Sequence, residues 1–204
     1  MTLETSKTLG GVGAILIVIG FLGIFAYGGT AILSLIGIIL VLIALKGMAD
    51  HYSDASIFNN ALYGLITIIV GAVAFVGTLA ATILMMLSNV DLDWTDAAAV
   101  QAYFTDFNNL WGIIGAVFIA LVVLFVFAII SAILFRKSLT SLSAKSGEKI
   151  FETAGLLWLI GAVLTIVVVG FILIGIAWIL IAVGFFSIKT TAQPQPTPSP
   201  QPPS

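Results

Sequence analysis

Apolar residues run along this chain in long blocks, without the period-two alternation of a half-buried strand or the one-sided stripe of a soluble helix. The first block, residues 9–45, would measure about 55 Å as a single helix, against a bilayer hydrocarbon core of about 30 Å. It must therefore fold back, and Tyr27-Gly28-Gly29-Thr30 marks the corner, because glycine tolerates turn dihedrals. This predicts helices over 9–27 and 30–45. Residues 57–87 give a third span and 111–135 a fourth. The last block repeats the first problem, with Gly170 as its corner, and predicts helices over 154–169 and 171–188. The second and fifth helices are short, about 24 Å, so each hairpin either crosses the membrane or re-enters on the same side. The fold expected is all-α: a polytopic membrane bundle of about six transmembrane helices, two short hairpins flanking two longer helices. Residues 1–189 form the membrane domain.

Outside these blocks the polar pattern changes character. After Thr95, a candidate N-cap, Val100, Tyr103, Phe104, Phe107 and Trp111 recur at helical spacing. They predict an outer amphipathic helix over 96–107, lying in the interface with Trp94 and Trp111 at headgroup depth. Asp91, Asp93 and Asp96 hint at a cation site, but the turn glycine and terminal glutamate of a calcium loop are missing, and a solvated acidic loop is preferred. In residues 46–60, Asp50, His51 and Asp54 could share a helical face as metal ligands do; ending one helix and capping the next, through Ser53, Asp54 or Ser56, is the simpler role. Residues 190–204 hold every proline and no group to bury, which predicts a disordered, proline-rich tail.

Charge orients the bundle. Lys7, Lys46, Arg136, Lys137, Lys145, Lys149 and Lys189 all fall in segments of one parity, whereas the loop of residues 88–109 carries four aspartates and no cation. The positive-inside pattern puts both termini in the cytoplasm, in a multi-pass protein of the cell membrane, with these cations facing lipid headgroups. The opening MTLETSK reads as the flank of a retained first span. Hydrophobic residues make up 61% of the chain and charged residues 8%, with a mean hydropathy of +1.25, which leaves no soluble core. A net charge of −2 excludes a nucleic-acid footprint, and the lack of cysteine removes disulfides and thiolate chemistry.

No ionisable residue lies inside a predicted span, and no proline breaks one. Ser34, Thr67, Thr78, Thr82, Ser131 and Thr165 are the polar residues there, each able to bond a carbonyl of its own helix. Proton-coupled pumps and intramembrane enzymes need more than this. Small residues are instead spaced for contact: Gly112, Ala116, Ala120, Ala128 and Ala132 on the fourth span, Gly64, Gly71 and Thr78 on the third. Such stripes let backbones approach closely in lipid, and they predict a close-packed bundle without an evident lumen. The tight GGVG at residues 10–13 lacks a phosphate loop's Lys-Ser/Thr and belongs to packing.

A shift of 142 positions lays Lys7 on Lys149, Gly13 on Gly155 and Gly28 on Gly170, so the hairpins are either parallel repeats or a coincidence of two apolar hairpins. The strings SKTLGGVGAIL, LIALKGMADHYSDASIFNNALYG and FRKSLTSLSAKSGEKIFETAGLLWLIGAVLTI resemble an uncharacterised, mainly archaeal family of small multi-spanning membrane proteins, domain of unknown function 996. The resemblance implies no activity and no functional residue. It does imply that any shared site lies on the polar face formed by residues 46–60 and 136–149. The function expected is a non-enzymatic structural or interaction role, with no cofactor and with lipids, a second copy or another membrane protein as partners. The alternative is a transporter or channel for a small neutral or lipidic solute.

Overall fold

In a computed structural model, residues 1–27, 30–88, 95–167 and 169–189 are described, and among them the regular elements are all helices, joined by short turns. The elements are α1 (Leu3–Tyr27), α2 (Ala31–His51), α3 (Ala55–Ser88), α4 (Ala97–Thr105), α5 (Phe107–Ser146), α6 (Ile150–Val163), a 3₁₀ turn over Leu164–Val167, and α7 (Val169–Ser187). Six helical stretches are long and apolar enough to cross a membrane: α1, α2, α3, α5, α6 with its 3₁₀ extension, and α7. The four hairpin stretches run to 18–21 residues, which answers the concern that two were too short to span. The acidic loop's Asp91, Asp93 and Trp94, the Gly28-Gly29 corner and the tail at 190–204 lie outside the described residues.

The helices overrun the expected limits, chiefly at the end that carries the cations. Helix α2 continues to residue 51 rather than 45, α5 starts at residue 107 and continues to 146 rather than spanning 111–135, and α1 and α6 begin at residues 3 and 150. Hydropathy bounds only the stretch that prefers lipid; the backbone ladder continues until a residue breaks it. In α5 that residue is Gly147, in the left-handed region at φ +77°, whose N–H bonds the Ser143 carbonyl as a helix-ending cap. Helix α5 is therefore 40 residues, about 60 Å, and α3 34 residues, about 51 Å.

Gly170 is not the corner of the second hairpin. It lies in the first turn of α7, buried against the backbone of Gly161, Leu164 and Thr165. Glycine there allows backbones to touch rather than supplying turn dihedrals. The glycines equated by the 142-residue shift also differ in role. Gly13 faces Gly37 and Leu40 of its own hairpin, whereas Gly155 faces Arg136 and Leu139 of α5.

Packing is uneven along the bundle. The largest fully buried side chains, including Leu45, Met48, Ile57, Leu139, Leu142, Phe151, Phe185 and Ile188, gather towards the basic end. There α1 meets α2 and α7, α6 meets α5 and α7, and α3 runs antiparallel to α5. Away from that end α3 and α5 continue as a pair with much apolar surface exposed, including Val73, Val76, Leu84 and Phe118. Along the pair, a Cβ at Gly64 or Gly71 would press on α5 at Ser131 or Phe127, and Ala116, Ala120 and Ala132 are buried. Gly112 is not part of this seam: it is exposed, one turn from the start of α5.

Serine hydroxyls fasten the same pair. Ser131 Oγ donates to the Gly64 carbonyl at 2.7 Å, Ser138 Oγ to the Ile57 carbonyl, and Ser56 and Ser141 join through their hydroxyls at 3.0 Å. Ser131 thus bonds a neighbouring helix, contrary to the expectation that it would serve its own. Thr82 and Thr165 do bond carbonyls of their own segments. The seven-residue spacing of Ser131 and Ser138 matches that of Gly64 and Ile57, a regular antiparallel seam.

Candidate functional site at the basic end

The turn between α2 and α3 carries most of the polar chemistry. Asp54 N–H bonds the Ala49 carbonyl and Ser53 N–H the Asp50 carbonyl, a Schellman ending that places Ser53 at φ +52°. A left-handed serine is strained relative to glycine by about 1 kcal/mol. Replacing Ser53 by Gly should therefore raise the thermal midpoint in detergent, by up to about 1 kcal/mol of stability.

Asp54 opens the next helix. Its Oδ1 accepts the Ser56 N–H at 3.0 Å, so Asp54 takes the N-cap role that the sequence assigns jointly to Ser53, Asp54 and Ser56. Hydrogen bonds from the Ser56 side chain and backbone hold its carboxyl below the ordinary 3.8, with Lys145 adding to the effect. A depressed folded-state pKa contributes stability that is present above the unfolded value and lost as pH falls through the folded one. Acidification below 3.8 should therefore destabilise the wild type, and Asp54→Asn should flatten that part of the pH–stability curve. Burial, and then the charge of Glu148, raise the Tyr52 hydroxyl above its ordinary 10.0.

The other candidate ligands are spent differently. Asp50 pairs with Lys46 at 2.7 Å, with both side chains exposed, and His51 stacks edge-on against Tyr52 at 4.9 Å between centroids. No cluster of three metal-ligating side chains forms among the described residues.

All seven cations collect at this end. Lys7 Nζ donates to the Ile188 carbonyl at 2.8 Å and closes α7 against α1. Arg136 is half-buried, its backbone and stem beside Gly155. Lys46, Lys137, Lys145, Lys149 and Lys189 are exposed. At the opposite end Asp96, not Thr95, caps α4, accepting from Ala98 and Ala99 N–H at 2.9 and 3.3 Å. The outer amphipathic helix stops at Thr105, so Phe107 and Trp111 belong to the first turns of α5.

The bundle is not solid. An apolar cavity of about 200 Å³ lies between α2 and α3, with Phe135, Trp158 and Trp178 among its walls. These three rings pack on one another at centroid distances of 5.0–5.7 Å. The space is a cleft partly open to the surface of the bundle. The space arises because α2 and α3 touch far less extensively than α1 and α2 or α3 and α5 do. Towards the basic end, Leu42 also borders a wider groove of about 400 Å³ with Ile39, Lys46, Asp50 and Phe58.

Six membrane-length apolar helices, fastened in part by cross-helix serines, define a multi-pass helical membrane protein. The chain belongs to the family described as "Protein of unknown function (DUF996)", which matches residues 33–179. It is 30% identical over 188 residues to the uncharacterized protein MJ1644 of Methanocaldococcus jannaschii, covering 92% of this chain and 94% of that one. No solved structure matches it.

Proposed function

We propose that this is a non-enzymatic structural or interaction protein of the cell membrane, with both termini and the basic end in the cytoplasm. The exposed α3/α5 pair carries the reading: this seam is internally hydrogen-bonded, yet its far half presents large apolar side chains outward, Val73 at 68% and Phe118 at 66% exposure. A second copy or another membrane protein is the partner that such a surface suits. The absence of ionisable residues from the apolar interiors of the sequence blocks, and the use of Asp50 and Asp54 in helix ends, support a role without catalysis. Photo-reactive side chains placed at Val73 and Phe118 in native membranes should cross-link to protein. Cross-links to lipid alone at both positions would overturn the interaction role.

A transporter or channel for a small neutral or lipidic solute is the second reading, favoured by the cavity beside Trp158 and Trp178. The structural role predicts that liposomes containing the purified protein neither swell in glycerol nor pass protons to a pH dye. Swelling without proton flux would promote this second reading over the first.

A further inference from the structure

The cleft between α2 and α3 grades from polar to apolar. Its mouth holds Lys46 and Asp50, exposed and 2.7 Å apart, with the Lys46 ammonium 5.7 Å from the Phe58 ring centre. Leu42 links that mouth to the deeper cavity, walled by Leu65 and Ile68 of α3 and by the rings of Trp158 and Trp178. An apolar cavity of roughly 150 Å³ already holds a guest of benzene size, so about 200 Å³ takes the end of a hydrocarbon chain. The deeper walls are almost wholly apolar; Ser131 has its hydroxyl committed to Gly64. Water gains little there, whereas lipid is the surrounding solvent.

We propose that this cleft binds one amine-bearing zwitterionic phospholipid, its phosphate on Lys46, its ammonium on Asp50, and one chain entering the cavity against Trp158 and Trp178. The charge pattern selects this occupant. The side chains lining the mouth include one cation and one anion side by side, complementary to a headgroup that carries one of each. A solvent-exposed Lys–Asp pair is weakly held, so both partners are available to exchange each other for the headgroup. A chain without a headgroup would leave that pair unused, and a singly anionic headgroup would meet the Asp50 carboxylate.

Quenching tests the arrangement. In a Trp94→Phe/Trp111→Phe background, the remaining indoles are Trp158 and Trp178. The full-length protein in detergent micelles is titrated with phosphatidylethanolamine brominated on its chains. Fluorescence should fall and saturate at one lipid per protein, and unbrominated lipid should reverse the fall. Lys46→Gln should raise the half-saturating concentration about fivefold. Asp50→Asn should abolish the preference over brominated phosphatidylglycerol, and Ala61→Phe, which fills the cavity, should abolish quenching. Lys46 and Asp50 are exposed, so their variants decide the matter even if Ala61→Phe does not fold. Quenching that fails to saturate, or that is indifferent to Lys46→Gln and to headgroup, would overturn the proposal. None of these outcomes bears on cross-linking at Val73 and Phe118, so the site and the structural role stand or fall separately.

Discussion

Phe185→Ala is expected to cost about 3–5 kcal/mol, the largest loss of any single substitution considered. The ring is fully buried in α7 and meets Phe151 of α6 edge-on, 5.3 Å between centroids. Its other face lies over Gly10 of α1, so closely that a Cβ at Gly10 would sit 2.6 Å from the ring. One side chain therefore joins α1, α6 and α7 where Lys7 also ties α1 to the end of α7. Removing it leaves a void between three helices rather than at a lipid-facing surface that hydrocarbon could refill. The neighbouring Phe186, 48% exposed, gives the comparison. Phe186→Ala should cost much less, since its site is open to lipid. Thermal unfolding in a mild detergent, followed by loss of monodisperse protein, separates the two; equal midpoints would refute the role assigned to Phe185.

The spans were legible because membrane burial writes itself into composition: blocks such as residues 111–135 have no other solvent to prefer. What lies beyond the blocks was less visible. The run from Arg136 to Ser146 reads as a basic loop, yet it is helix, with Leu139 and Leu142 buried and Ser138 bonded to Ile57. The signal was present in the three-residue spacing of those leucines, but the surrounding Lys and Ser residues masked it in any hydropathy average. Gly170 shows the opposite error. A glycine between two apolar helices suggests a turn, but the backbone spends it on close approach to Gly161, a distinction that only the partner helix decides. Gly64 and Gly71 belong to a seam because α5 lies against them, while Gly112 has similar spacing and is exposed. The cavity was out of reach altogether. Its walls come from α2, α3, α5, α6 and α7, and no local pattern marks Phe135, Trp158 and Trp178 as one cluster.

Gly37→Ala should destabilise the first hairpin by about 1–3 kcal/mol, although alanine is ordinarily the better helix former. A Cβ at Gly37 would lie 2.5 Å from the Gly13 carbonyl oxygen and 2.7 Å from the Ile17 side chain; one at Gly13 would lie 2.8 Å from the Gly37 carbonyl. The obstacle in each case is backbone on the facing helix, which cannot rotate away as a side chain can. The helices must separate, and the contacts of Ala14, Ile17 and Val41, all buried around this point, loosen with them. Because both glycines guard one contact, the double variant should lose less than the sum of the single losses. Gly77→Ala and Gly115→Ala provide the control, for a Cβ at either position meets no atom within 4 Å. Those two variants should be neutral or gain up to about 1 kcal/mol from helix propensity. Thermal midpoints that fall equally at Gly37 and Gly77 would mean that glycine acts here through its own helix, not through the approach of α1 to α2.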